Sequence, residues 1–113
     1  MPFTYSLPVP EIPKEALDES QSVRLIRFRT KEGEWVEAGT QIAKLEASQY
    51  VIWVLANGSG ILAERVAASG AILRVGDELA IIRADGESIP YDRPYSVAQI
   101  KRKRRFLFLP KAP

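Results

Sequence analysis

The middle of the chain alternates apolar and polar residues in short runs with a period of two. Five runs of this kind lie at residues 23–28, 41–46, 50–55, 61–62 and 78–82. A period of two places alternate side chains on opposite faces of a strand, and no stretch keeps a helical period over about ten residues. The pattern therefore predicts an all-β domain of short strands.

Glycine and proline divide the chain into three regions. All seven glycines lie between Gly33 and Gly86, whereas all eight prolines lie outside that stretch. Glycine permits the tight turns of a compact sheet domain, and proline cannot donate a hydrogen bond to a sheet. We therefore expect an extended arm at 1–20, a domain at 21–87 and a tail at 88–113.

The expected domain repeats one pattern. Gly33 and Gly39 have counterparts 37 residues later at Gly70 and Gly76, and apolar residues follow each pair at the same spacing. A repeat of this kind indicates two structurally equivalent halves. We therefore expect approximate internal two-fold symmetry.

Segments in both halves resemble the biotinyl and lipoyl carrier domains. Residues 25–36 are similar to the first segment of a lipoyl domain, and residues 60–82 are similar to its closing segment. Between them, 46–49 and 56–60 fall without a gap on the Glu-Ala-Met-Lys and Ala-x-x-Ser-Gly patterns of biotin carriers. The resemblance covers about residues 22–83. It implies a flattened barrel-sandwich hybrid of two four-stranded sheets with quasi-two-fold symmetry.

The attachment lysine of these carriers is replaced in this chain. The family acylates a lysine at the tip of the hairpin between the halves, and the matching residue here is Gln49. A primary amide is not a nucleophile, so Gln49 cannot form the biotinyl or lipoyl amide. The nearest lysine, Lys44, lies within a predicted strand. The resemblance therefore implies a degenerate scaffold without a cofactor, and the alternative is a biotin or lipoyl carrier modified at an unrecognised site.

The strand that follows Gln49 predicts an apolar outer surface. Its alternation turns Val51, Trp53 and Leu55 outward, and in lipoyl domains the positions matching the last two are commonly acidic. Clustered apolar side chains on a surface, tryptophan above all, mark binding sites. We therefore expect this face to bind a protein partner or a second copy of the chain. The alternative is internal packing against an arm in which these apolar residues alternate: Phe3, Tyr5, Leu7 and Val9.

The composition excludes most familiar catalytic chemistry. The chain has no Cys and no His, which removes thiol nucleophiles, His-dependent relays, disulfides and the common zinc and haem sites. The acids near predicted turns, at 32–37 and 77–78, are expected to be solvated rather than catalytic or metal-binding. We therefore expect a protein that is not an enzyme and has no metal site.

The tail concentrates positive charge in a chain whose formal net charge is only +2. Its five consecutive bases are Lys101, Arg102, Lys103, Arg104 and Arg105. Such a run attracts a nucleic-acid backbone, an anionic membrane or an acidic protein surface. Ser96 is a candidate N-cap for a short helix that leads into the run.

The start of the chain lacks the basic residues and apolar run of a signal peptide, and the longest apolar stretch is too short to span a membrane. We therefore expect a cytoplasmic protein.

The expected function is an accessory or adaptor subunit that docks into a larger complex through the Trp53 face and the extended segments. The further alternative is a binder of nucleic acid or anionic membrane through the basic tail.

Overall fold

The computed structural model describes residues 2–17, 19–85 and 95–103. These residues form an all-β protein with one 3-10 helix, Lys14–Ala16, and no α-helix. None of their helical segments is long and apolar enough to cross a membrane. The nine strands are β1 Pro2–Pro8, β2 Val23–Phe28, β3 Trp35–Val36, β4 Gln41–Glu46, β5 Tyr50–Ala56, β6 Gly60–Arg65, β7 Ile72–Leu73, β8 Glu78–Asp85 and β9 Ser96–Arg102.

The strands form two antiparallel sheets that share one hydrophobic core. The four-stranded sheet has the order β1-β8-β6-β3, and the five-stranded sheet has the order β7-β2-β4-β5-β9. The largest side chains that the core buries completely include Leu7, Leu25, Ile42, Leu45, Ile52, Leu62, Leu79 and Ile82. Removal of this apolar surface from water is the main force that holds the two sheets together.

The predicted all-β class is confirmed, and the longer strands lie where the alternation places them. β2 and β4 have the predicted bounds, whereas β5, β6 and β8 extend beyond theirs by a few residues. The short strands β3 and β7 contain two residues each. Sequence reasoning missed both because two residues are too few to show a period.

Residues 2–8 form a strand of the four-stranded sheet, whereas the sequence predicts an arm outside the domain. β1 pairs with β8 along its whole length. Tyr5 and Leu7 are buried in the core, and Thr4 and Ser6 are exposed. The prolines of β1 are compatible with this pairing because they stand at its two ends and β1 lies at a sheet edge. The fold therefore begins well before the predicted domain boundary.

β9 occupies the segment for which the sequence predicts a short helix. It pairs with all seven residues of β5, so the second sheet has five strands rather than four. Ser96 caps no helix, because its hydroxyl donates a hydrogen bond to the Pro8 carbonyl at 2.7 Å. Side chains from Val97 to Ile100 alternate between exposed and partly buried, as in a strand with one face on a core. The helix prediction is wrong because the open edge of β5 accepts this alternating segment.

The glycines of the sequence repeat occupy equivalent turns. Their φ angles are nearly equal, at 91° for Gly33, 92° for Gly39, 91° for Gly70 and 94° for Gly76. The Gly33 N–H donates to the Leu62 carbonyl at 2.8 Å, and the Gly70 N–H donates to the Leu25 carbonyl at 2.7 Å. Both the donors and the acceptors of these two bonds are 37 residues apart. Each half of the repeat therefore fastens its first turn to the other half in the same way.

Candidate docking surface

Gln49 lies at the exposed tip of the hairpin that joins β4 to β5. Residues 47–49 form the connection, and the Ala47 N–H donates a hydrogen bond to the Tyr50 carbonyl at 2.9 Å. The Gln49 carbonyl accepts a hydrogen bond from the N–H of Lys103 at 2.8 Å, directly after β9. Gln49, which the resemblance aligns with the attachment lysine, is therefore an exposed residue beside the end of β9.

Two of the lysines near this tip have other partners. Lys44 is in the middle of β4, where its Nζ lies 5.7 Å from the centre of the Trp53 ring. Lys103 follows β9, and its Nζ lies 3.5 Å from Oε2 of Glu46. Lys44 is therefore a mid-strand residue, and Lys103 lies beside the tip but is not part of the hairpin connection, which holds Gln49.

Side chains along β5 alternate between the core and the outer surface. Ile52 and Val54 are fully buried, whereas Val51, Trp53 and Leu55 are partly buried on the outer face of the five-stranded sheet. The burial follows the predicted alternation. The three outward residues keep part of their apolar surface accessible.

β9 continues this outer apolar surface. Residues directly opposite each other in an antiparallel pair point to the same face. Leu55 pairs with Val97, which is 41% exposed, and Trp53 pairs with Gln99. We define the apolar stripe as Val51, Trp53, Leu55 and Val97, which lie together on the outer face.

Basic residues of β2 and β4 lie beside the apolar stripe on the same face. Lys44 pairs with Trp53, and Arg27 pairs with Lys44 on the next strand. A bulge in β2 inserts one residue before Arg27, so that this side chain returns to the face that Arg24 occupies. β2 therefore presents Arg24 and Arg27 on the same face as Lys44 of β4.

Further charges complete this surface. Lys101 of β9 pairs with Val51 on the opposite flank of the stripe. Glu46 pairs with Val51 from the other side, and its carboxylate is already engaged by Lys103. We define the basic face as the outer surface of the five-stranded sheet with its five cations, Arg24, Arg27, Arg29, Lys44 and Lys101.

Two of these cations, Arg29 and Lys44, lie over the ring of Trp53. The guanidinium carbon of Arg29 lies 5.4 Å from the ring centre, and the ammonium nitrogen of Lys44 lies 5.7 Å from it. Contacts of this kind contribute about 0.5–1 kcal/mol each at exposed sites. Arg29 also donates from Nη1 to Oε1 of Gln41 at 3.1 Å, and Gln41 donates from Nε2 to Gln99 at 3.1 Å. These contacts orient the ring and its cations across three strands.

The alternative in which the N-terminal residues cover Trp53 does not match the structure. Tyr5, Leu7 and Val9 are buried in the core, and β1 belongs to the other sheet.

The Tyr5 ring lies 4.6 Å from the ring of Tyr95, and its buried hydroxyl finds no hydrogen-bond partner among the described residues. Burial, and then the neighbouring Tyr95, raise the pKa of Tyr5 from 10.0 to about 12.

The basic run of the tail is partly strand. Lys101 and Arg102 are the last residues of β9, and Lys103 follows directly. Lys101 belongs to the basic face, whereas the exposed Arg102 pairs with Tyr50 beside the hairpin tip. Arg104 and Arg105, the other two bases of the run, lie outside the described residues. The strand therefore brings the start of the run into contact with the sheet surface.

The acids near the turns have structural partners. Glu34 accepts a hydrogen bond from the N–H of Lys31 at 2.7 Å, and Asp77 accepts one from the N–H of Arg74 at 2.8 Å. Glu32 accepts one from the N–H of Arg65, also at 2.8 Å. Where the structure describes the chain, no group of three metal-ligating side chains comes together. These carboxylates therefore close turns and join the two halves.

Two of the exposed apolar side chains that sequence reasoning missed belong to the repeat. Trp35 on β3 is 59% exposed, and Ile72 on β7 is 60% exposed. They are 37 residues apart, so they are equivalent positions of the sequence repeat. Each lies on a two-residue strand at a sheet edge, so a neighbouring strand flanks it on one side. Trp53, in contrast, has a neighbouring strand on both sides. The repeat is the signal that could have drawn attention to both.

Comparison with models of known protein families finds no match, and comparison with curated proteins finds no significant match. A function for the chain therefore rests on the scaffold and surface described above.

Proposed function

We propose that the chain is a non-catalytic accessory or adaptor subunit that docks into a larger protein complex through the basic face. Its scaffold is a biotinyl/lipoyl-like barrel-sandwich hybrid without the acceptor lysine, and we place it in the cytoplasm. The observation that carries the proposal is the apolar stripe around Trp53, on the outer surface beside the Gln49 tip.

The strand order supports the two-fold scaffold. Each of the strands β1 to β4 can be exchanged with the strand four places later, so that β1 exchanges with β5 and β4 with β8. This exchange turns the order β1-β8-β6-β3 into β5-β4-β2-β7. This is the order of the five-stranded sheet without β9, read in the opposite direction. A quasi-symmetric core of eight strands with β9 added at one edge accounts for both sheets.

The hydrogen bonds of the turns support the same symmetry. The Leu62 N–H donates to the Glu34 carbonyl at 2.9 Å, and the Leu25 N–H donates to the Ala71 carbonyl at 2.9 Å. Donors and acceptors again differ by 37 residues. A chance similarity of sequence would not reproduce paired backbone bonds between the halves.

The tip residue supports an accessory role rather than a carrier role. Gln49 is exposed where a carrier presents its lysine, but an amide cannot be acylated by the carrier chemistry. The scaffold is retained around this position, which makes a function that uses its surface the simpler explanation. In such a role the β4–β5 hairpin serves as a rigid support.

The apolar stripe supports docking onto a protein. Partly exposed Trp53 stands near the centre of the stripe, with Val51 and Leu55 on either side along β5. Tryptophan dominates binding energy when it is surrounded by residues that exclude water. The ring is also held in place by Arg29 and Lys44 before any partner arrives, which lowers the entropic cost of binding.

The experiment is affinity capture of the tagged full chain from its native host, with the intact mass of the chain recorded from the same sample. Trp53→Asp places a charge in the stripe. Trp35→Asp is the matched control, because it makes the same change at an exposed tryptophan of the other sheet.

We expect a stoichiometric protein partner with wild type and with Trp35→Asp, its loss with Trp53→Asp, and an unmodified mass. A mass increment of a biotinyl or lipoyl group would show instead that the chain is a carrier modified at another lysine. Absence of a partner, or loss of the partner only with Trp35→Asp, would contradict the proposed docking face.

A further inference from the structure

We propose that the partner presents an acidic amphipathic protein segment to the basic face, with apolar side chains on the apolar stripe and carboxylates on the flanking cations. This inference rests on the proposed docking function and adds the chemistry of the partner. It follows from the juxtaposition of charge and apolar surface on one sheet face.

The charge of the face is strongly one-sided. Five cations from β2, β4, β9 and the residue after β2 share it, and among the described residues Glu46 is the acid on this face. Glu46 is already paired with Lys103. The cations therefore carry net positive charge that the described part of the chain does not neutralise, and a partner of opposite charge would.

The cations flank the apolar stripe on two sides. Neighbouring strands lie about 4.8 Å apart, so Lys44 is one strand from Trp53 and Arg27 is two strands away. On the far side, Lys101 stands one strand from Val51. A segment that seats apolar side chains along β5 would bring its acidic side chains over these cations.

The charge of the face argues against a second copy of the chain and against residues 104–113 as its occupant. A second copy would oppose the basic face to another basic face, and like charges held together repel. Residues 104–113 hold three bases and no acid, so the end of the chain is not complementary either. An acidic partner from outside the chain satisfies the charge.

A protein fits the face better than a single-stranded nucleic acid does. Nucleic-acid strands bind by stacking successive bases on aromatic rings, and Trp53 is the one aromatic residue of the apolar stripe. A phosphate backbone would also leave the aliphatic part of the stripe without a partner. Apolar anchors with carboxylates beside them use both features.

The test titrates the labelled full chain with three probes and follows amide chemical shifts. The probes are a short peptide of alternating Glu and Leu, the same peptide with Gln in place of Glu, and a single-stranded oligothymidine. The double variant Arg27→Glu with Lys44→Glu reverses two charges of the face. Arg83→Glu reverses an exposed charge on the four-stranded sheet and serves as the control.

We expect saturable shifts in β4, β5 and β9 with the Glu-Leu peptide, and an affinity about tenfold lower with the double variant but unchanged with Arg83→Glu. Added salt should weaken this binding. Equal binding of the Gln-Leu peptide would overturn the acidic partner while leaving the docking function intact. Tighter binding of oligothymidine would assign the face to nucleic acid, and no saturable shift with any probe would overturn the inference.

Captured partners separate this inference from the proposed function. A partner lost with Trp53→Asp but retained by Arg27→Glu with Lys44→Glu, at low and high salt alike, would mean that docking is apolar alone. That result would overturn the acidic partner and support the docking function. Loss of the partner with Trp53→Asp and with the double variant, while both control variants retain it, supports the docking function and the acidic partner together.

Discussion

The two sheets share one core but differ on their outer faces. The four-stranded sheet presents the exposed Trp35, which pairs with Ile61, together with Arg83 and Glu64, which are of opposite charge. The five-stranded sheet presents five cations around the apolar stripe. We attribute the difference in charge between the outer faces to the docking role proposed for the five-stranded sheet. Substitutions on the outer face of the four-stranded sheet should therefore leave binding unchanged, whereas those on the outer face of the five-stranded sheet should weaken it.

The largest effect expected is a gain of modification at the tip of the five-stranded sheet. Ser48→Met with Gln49→Lys restores the Glu-Ala-Met-Lys pattern of biotin carriers on an exposed hairpin. We expect a biotin ligase to acylate the double variant, which the intact mass will show. Ser48→Met alone should keep the unmodified mass. A folded double variant that stays unmodified would contradict the carrier-like scaffold.

The next largest effect compares the two terminal strands. Leu7→Ala on β1 removes a fully buried side chain and should lower the free energy of unfolding by about 2–5 kcal/mol. Ile100→Ala on β9 changes a partly buried residue and should cost about 1 kcal/mol. Denaturant titration measures both losses. Equal losses would mean that β9 builds the core as much as β1 does.

A smaller loss is expected at a close contact inside the four-stranded sheet. A Cβ on Gly60 would lie 2.6 Å from the Arg83 carbonyl oxygen and 2.6 Å from Cγ2 of Ile82. Gly60→Ala should therefore cost about 2–3 kcal/mol through overpacking. Gly33→Ala meets no atom within 4 Å and should cost about 1 kcal/mol, because its φ of 91° is strained for alanine. A larger loss of thermal stability with Gly33→Ala than with Gly60→Ala would contradict this packing.

Tyr5 should make stability fall at alkaline pH. Its pKa is about 12 in the folded chain against 10.0 ordinarily, so the unfolded chain loses the proton first. The stability due to this shift is complete below pH 10.0 and is lost as the pH rises towards about 12, by roughly 2 kcal/mol. Tyr5→Phe should remove this part of the pH dependence, measured as the difference in unfolding free energy between the two proteins. Parallel curves for the two proteins would show that Tyr5 ionises normally.

The smallest effect concerns the cations beside Trp53. Lys44→Ala should cost about 0.5–1 kcal/mol through the lost contact with the ring. Arg83→Ala, at an exposed position of the other sheet, should change stability by less than about 0.5 kcal/mol. Chemical unfolding monitored by circular dichroism resolves the two. A large loss with Lys44→Ala would mean that the outer face also holds the fold together.

The strands that the sequence predicts well are those whose pattern is local. β2 and β4 alternate for six residues each, so their bounds follow from the sequence alone. β1 and β9 were missed because their formation depends on distant partners, β8 and β5. The prolines around β1 and the cap-like Ser96 of β9 gave local signals that tertiary pairing overrides.

The candidate site was predictable only in part for the same reason. Trp53 and its two neighbours follow from alternation along β5. The cations come from separate segments, and Arg27 reaches the face only through a bulge that no local pattern reveals. Neighbouring strands in a sheet can be far apart in sequence, so the sequence gives the charges but not their common face.

The most direct test of the docking face is hydroxyl-radical oxidation of the captured complex and of the free chain, read at the two tryptophans. Trp53 lies on the outer face of the five-stranded sheet and Trp35 lies on the edge of the other sheet, so each chain contains its own control. We predict that the partner slows oxidation of Trp53 several-fold and leaves Trp35 unchanged. Protection of Trp35 with unchanged oxidation of Trp53 would contradict the assignment of the docking face.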